Sequence, residues 1–200
     1  MPTGVALRDV RQQLFDAAER VLFRGGANGL TSRAVTEEAG VAKGVLHRHF
    51  EDFDAFLVEL VRERITRLDG AAADLRVSAG TGTVAGNLTT ALIHLFDPVA
   101  VSIVSLIIFR DELRARLRRA RPGPGIPVLT QAAGVITDYL RDECEMGRIA
   151  ADADVDALAL SLIGGAHMLF ADREAGPPSP EAVDKLVNAV IADVVQRRLL

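Results

Sequence analysis

Tryptophan is absent from these 200 residues, and aromatics make up only 4% of the chain. A buried core must therefore rest on aliphatic packing. Strand-favouring aromatics are scarce while Ala, Leu, Arg and Glu abound, which favours helices over sheets. The single cysteine, Cys144, excludes an intramolecular disulfide and fits a reducing compartment. It reads as an unreactive helix thiol. The longest apolar run, VAVSIVSLIIF at 99–109, falls short of the roughly 20 residues a membrane span needs. The opening residues turn polar before any long apolar stretch, so no secretion signal is visible. These absences lead us to expect a soluble, cytoplasmic protein. No phosphate-cradling glycine loop or nucleophile elbow is present, and Cys144 has no evident histidine partner. No enzyme and no cofactor are expected. The HRH at 47–49 is no metal site, because residues two apart on a helix diverge and no acid pair or cysteine stands near.

The net charge is −4, unevenly spread. Residues 1–50 hold seven Lys/Arg against five acids, while the rest of the chain carries the acidic surplus. A basic N-terminal portion on an acidic body suggests that only the first portion meets a polyanion.

From Arg8 to Phe23, apolar residues Val10, Leu14, Ala17, Ala18, Val21 and Leu22 recur at helical spacing. RGGANG (24–29) breaks that helix. TSRAVTEEAG reads as a short second helix, capped by Thr31 or Ser32 and ended by Gly40. A third runs from about Ala42 to His49. Two short helices joined by a tight glycine turn form a helix-turn-helix pattern. A longer helix starts near Asp52 with the stripe Phe53, Phe56, Leu57, Leu60, Val61, Ile65 and Leu68, and weakens through 70–82. Further helices are expected at about 83–96, 98–119, 128–146, 154–171 and 180–198. RPGPGIP (121–127) and AGPPSP (175–180) are breaks. The expected fold is all-α: a three-helix head, residues 1–51, and a larger helical body, residues 52–200.

Within 31–50, Val35, Ala39, Val41, Leu46 and Phe50 can face inward and fix the two short helices. Lys43, Gly44, Val45, His47 and Arg48 then fall outward. Gly44 lets a backbone or base edge approach, Lys43 and Arg48 supply charge, and His47 can donate a hydrogen bond. With phosphate-favouring helix starts on either side, this is the layout of a major-groove reader.

TSRAVTEEAGVAKGVLHRHF resembles the helix-turn-helix of the TetR family of bacterial transcriptional regulators, through Thr31, AGV at 39–41 and KGxLxRHF at 43–50. LFDAAERVLFRGG resembles that family's first helix and glycine turn, and GRIAADADVDALALSLIGGAHMLF (147–170) its segment leading into the dimerising helix. The resemblance implies a homodimer reading a near-palindromic operator in double-stranded DNA, most often a repressor released by a small effector held in the helical body. It places DNA contact at Thr31, Ser32, Arg33, Ala42, Lys43, Gly44, Val45, His47 and Arg48. The alternative is a small-molecule-binding helical protein with a degenerate head.

Three departures bear on that choice. The family usually has Tyr at His47, and a histidine side chain can also gain charge near neutral pH. Ser or Thr is common where Ala42 and Val45 stand. A phosphate-contacting Lys often stands where this chain has Phe53, amid EDFDAF, so the electrostatic part of binding should be weakened.

In the body, Asn87 and His94, Ser102 and Ser105, Tyr139 and His167 are polar groups on otherwise apolar helices. Each either lines an effector cavity or is satisfied locally, the serines by bonding back to the preceding turn. The apolar character of the body hints at a hydrophobic effector. Two further stripes run through 155–170 and 183–194. Both could be core. By resemblance they pair with a partner's copies as a four-helix bundle, through Leu158, Leu162, Gly165, Leu169, Leu186, Val190 and Val194.

Overall fold

The computed structural model describes residues 4–120, 122–172 and 176–195, with side chains from residue 10 onward. Ten helices are described: α1 Gly4–Gly29, α2 Ser32–Glu38, α3 Gly44–His49, α4 Phe53–Val77, α5 Val84–Leu95, α6 Pro98–Phe109, α7 Asp111–Ala120, α8 Leu129–Glu145, α9 Val155–Phe170 and α10 Pro180–Ile191. The described residues contain no strand beyond one isolated bridge, Ile149 with Val195. Among them no single helix is long and apolar enough to cross a membrane. The fold is all-α, with an N-terminal helix-turn-helix.

The chain forms two compact units. One comprises Met1–Arg64 with Pro98–Ile126, so the unit that contains the short helices also takes in α6 and α7. The other comprises Ile65–Asp97 with Pro127–Leu200.

In the first unit α1 packs along α6 and against α2. Leu14, Ala17, Ala18 and Leu22 of α1 are fully buried. The expected break at RGGANG narrows to one residue: only Gly26 leaves helical geometry, at φ 63°, ψ −166°. A positive φ costs glycine little, which lets the helix resume beyond it.

The single helix expected over 98–119 is two. α6 is almost wholly apolar and buried, whereas α7 is amphipathic, with Leu113 and Leu117 inside. The chain breaks at Arg110. Arg114 Nη1 donates to the Ile108 carbonyl at 2.7 Å, satisfying an acceptor at the end of α6. Asp111 and Glu112 occupy the first turn of α7, where acids favour the positive end of the helix dipole.

In the second unit α8 packs on α9, α5 on α10, and α9 on α10. Side-chain caps start three helices: Thr83 for α5, Asp154 for α9 and Ser179 for α10. The last helix, expected to reach 198, ends at Ile191. A turn follows, and Ala150 N–H donates to the Val194 carbonyl at 2.8 Å. Residues 196–198 lie outside the described residues.

Candidate nucleic-acid interface

α2 begins where Thr31 Oγ1 accepts the Ala34 N–H at 3.1 Å. It ends at Gly40, whose φ of +67° suits glycine and lets the Val41 N–H reach the Thr36 carbonyl at 3.0 Å. Ser32 is half-buried at the helix start, and its carbonyl accepts from Thr36 Oγ1. Arg33 pairs within its own helix with Glu37 at 2.6 Å. Val35 and Ala39 are buried, and Val41 is half-buried.

α3 buries Leu46 completely, and Phe50, its C-cap, is buried too. Lys43, Gly44, His47 and Arg48 are exposed, Ala42 is exposed just before the helix, and Val45 is half-buried. No side chain caps the start of α3, where Lys43 occupies the cap position. A Cβ built on Gly44 would meet nothing within 4 Å. Packing against the described residues therefore does not require glycine there, and the space beside it is open.

The outward side is held by residues that sequence reasoning missed. Arg11 Nη1 donates to the His49 carbonyl at 3.0 Å, and its guanidinium lies 4.3 Å from the Phe50 ring centroid. Gln13 Nε2 donates to the Ala39 carbonyl at 2.8 Å. α1 thus satisfies a carbonyl at the C-terminal end of each short helix. Arg20 and Arg24 both bind Glu38, and these bonds hold its carboxyl below the usual carboxylate range. Phe15, Phe50, Phe53 and Phe56 form a ring cluster, with centroids 5.1–5.8 Å apart in four pairs. A chain poor in aromatics places four of its eight phenylalanines where α1, the end of α3 and the start of α4 meet. Arg11, Arg20, Arg24 and Arg33 are all engaged in ion pairs, which leaves Lys43 and Arg48 as the outward cations of α3.

The six candidate effector contacts do not form one group. In the first unit, Ser102 Oγ donates to the Pro98 carbonyl at 2.7 Å and Ser105 Oγ to the Val101 carbonyl at 3.1 Å, so both bond back to the preceding turn. In the second unit, Asn87 Nδ2 donates to Tyr139 Oη at 3.1 Å and to the Ser78 and Thr81 carbonyls at 3.0 Å. Tyr139 is buried. Burial and its hydrogen bond with Glu143 hold its phenol above the ordinary range. Glu143, fully buried, faces Arg148 Nε at 3.2 Å, and Arg148 donates to the Thr81 and Gly82 carbonyls. Asn87 and Tyr139 therefore belong to a network that fastens the loop between α4 and α5. Asn87 and His94 also line a groove of about 380 Å³ with Leu75, Ala71 and Asp74. His167 lies against Phe96, ring centroids 6.3 Å apart, with its Nδ1 buried and unbonded, and burial lowers its pKa.

Of the candidate dimer residues, Leu162 is buried within the unit, while Leu158, Leu169, Leu186 and Val190 are half-buried. Val194 stands in the turn after α10, not on the helix. Gly165 faces Leu186, and a Cβ there would meet Leu186 Cδ1 at 2.6 Å. The outward residues of α9 are different ones. Leu160 and Met168, eight residues apart, are 69% and 77% exposed, with Gly164 exposed between them. Among the described residues no group of three or more His, Cys, Asp or Glu is placed to hold a metal.

Residues 14–60 match the sequence model described as bacterial regulatory proteins, tetR family. The chain is 33% identical over 69 residues to the HTH-type transcriptional regulator PksA of Bacillus subtilis, covering 33% of this chain and 34% of the relative. It is 32% identical over 76 residues to the HTH-type transcriptional repressor KstR of Mycolicibacterium smegmatis, covering 38% and 37%. These matches span about a third of the length of each curated relative. The crystal structure of the regulator FadR from Bacillus subtilis in complex with stearoyl-CoA superposes with a TM-score of 0.67 at 16% identity, over 90% of this chain and 97% of that one. That likeness extends the shared fold well beyond the helix-turn-helix. Residues 14–60 thus match the N-terminal domain of the tetR family of bacterial regulatory proteins, within a chain that shares its all-α fold with a solved regulator.

Proposed function

We propose that the protein is a DNA-binding transcriptional regulator of the cytoplasm, a ligand-responsive repressor that binds a near-palindromic operator as a homodimer. Residues 1–51 read DNA, and residues 52–200 hold the effector and the dimer contact. The observation that carries this reading is the two-sided α3. Its inner side is locked by Leu46 and Phe50, while Lys43, Gly44, His47 and Arg48 are presented outward. Lys43 and Arg48 serve phosphates. Gly44 allows close approach of the helix backbone, and Val45 and His47 meet base edges or the sugar-phosphate chain. Thr31, Ser32, Arg33 and Ala42 flank that surface. The curated relatives, one named a transcriptional regulator and one a repressor, support the regulatory role.

A structural neighbour holding stearoyl-CoA supports a hydrophobic effector for this chain as well. Asn87 and His94 are the effector contacts best placed on a groove, with Tyr139 behind Asn87. Dimerisation uses the outer side of α9 and the half-buried residues of α10. An exposed stripe of Leu160, Gly164 and Met168 is costly to leave in water and suits a second copy.

Selection of random duplexes by the purified protein tests the reading. Enrichment of an inverted repeat supports it. Failure to enrich any sequence, from a folded protein, favours instead a small-molecule-binding protein with a degenerate head.

A further inference from the structure

The segment from α3 into α4 has an adverse charge balance for a DNA-facing surface. Between Lys43 and Asp54 stand two cations, Lys43 and Arg48, against three carboxylates, Glu51, Asp52 and Asp54. Phe53 supplies no charge to offset them. Asp52 follows Arg48 by four residues in the sequence, and charges separated by more than about 8 Å are largely screened at physiological salt.

Two arginines distant in sequence occupy those carboxylates. Arg116 of α7 grips Asp52 with both ends of its guanidinium, Nη1 to Oδ1 at 2.9 Å and Nη2 to Oδ2 at 2.8 Å. The Nε of the same Arg116 donates to Glu112 Oε1, 3.0 Å away. Arg110, at the break between α6 and α7, places Nη2 2.7 Å from Asp54 Oδ1, and its guanidinium lies 5.7 Å from the Phe53 ring centroid. Asp52 also caps α4, accepting the Ala55 N–H at 2.7 Å. Leu113 and Leu117, buried on α7, fix the helix from which Arg116 projects. A fork-on-fork arginine–carboxylate pair is the most directional ion pair available. All these residues lie in one compact unit with α3.

We infer that Arg116, with Arg110 beside it, sets the DNA affinity of α3 without touching DNA, by neutralising Asp52 and Asp54 at the entrance to α4. Their two charges offset those of Asp52 and Asp54, and Arg116 does so while also holding Glu112. They are positioning and field-setting residues, and the operator affinity depends on where α7 holds them. The inference rests on the DNA-binding reading above.

The test uses the full-length protein and the duplex its own selection enriches, with binding followed by fluorescence anisotropy across a salt series. Arg116→Ala uncovers Asp52 and should weaken binding by about threefold to tenfold near physiological salt, the loss shrinking as salt rises. Asp52→Asn keeps a good helix cap, since Asn and Asp cap equally well. It should bind more tightly than the wild type. The double variant should recover most of the loss. Opposite signs for the two single variants are the signature of neutralisation. A merely structural clasp weakens binding in both, and equally at all salt concentrations, and that result overturns the inference. It is also overturned if wild type and both variants bind alike. If the wild type enriches no duplex at all, the DNA-binding reading fails first and the inference falls with it.

Discussion

Gly165 of α9 receives the side chain of Leu186 from α10 in the space where its own Cβ would stand: Leu186 Cδ1 would be 2.6 Å away and Cδ2 3.1 Å. The two last helices approach closely because one of them has no side chain at that point. Replacing Gly165 with Val should therefore destabilise the protein by about 1–3 kcal/mol through overpacking. Gly165→Val combined with Leu186→Ala should recover part of that loss. Urea unfolding of the three variants measures the coupling, and additive losses would show that the contact is not shared.

Gly44 makes the opposite case. No described residue lies within 4 Å of the Cβ that alanine would add, and the residue sits in the first turn of α3. Gly44→Ala should leave thermal stability unchanged or slightly raised, since alanine is the better helix former. On the proposed DNA-binding reading operator affinity should fall, because the added methyl fills space left open for a groove backbone or base edge. A variant that loses stability and DNA binding together would mean that the glycine serves packing instead.

Arg11 supports α3 from behind by binding the His49 carbonyl and covering the Phe50 ring. Arg11→Ala should cost about 1–2 kcal/mol, combining a lost hydrogen bond from a charged donor with a lost cation–ring contact. Native-state amide exchange should show the loss concentrated at the Leu46 to Phe50 amides. Uniform loss of protection over the whole chain would argue against a local prop.

The pH dependence should carry a signature from His167. Burial lowers its pKa in the folded protein relative to the unfolded chain. A lowered histidine pKa means that the unfolded chain binds protons more readily. Its contribution is fully present above the ordinary histidine range and is lost as pH falls from about 7 towards 5. His167→Gln should flatten that part of the profile of Tm against pH relative to the wild type. Parallel profiles for the two proteins would place the acid sensitivity elsewhere.

The helix-turn-helix was legible in the sequence because its determinants are local. Thr31 caps three residues ahead, Gly40 needs its positive φ, and Leu46 with Phe50 repeats at helical spacing. What escaped is what sequence distance hides. Arg11 meets His49 across 38 residues and Arg116 meets Asp52 across 64, and no periodicity announces either pair. The break at Arg110 was masked because the apolar run before it and the leucines after it continue a helical pattern. Apolar stripes likewise cannot tell a side chain used within the chain from one left outside. Leu162 belongs to the first kind, while Leu160 and Met168 belong to the second.

The central claim is that the outward side of α3 binds DNA, and its most direct test is the salt dependence of operator binding by a Lys43→Ala/Arg48→Ala double variant. Each phosphate contact contributes roughly 0.9 to the slope of log affinity against log salt. The variant should keep its helical circular dichroism, bind far more weakly, and show a slope smaller by about 2 per protomer. A folded double variant with the affinity and slope of the wild type would contradict the account.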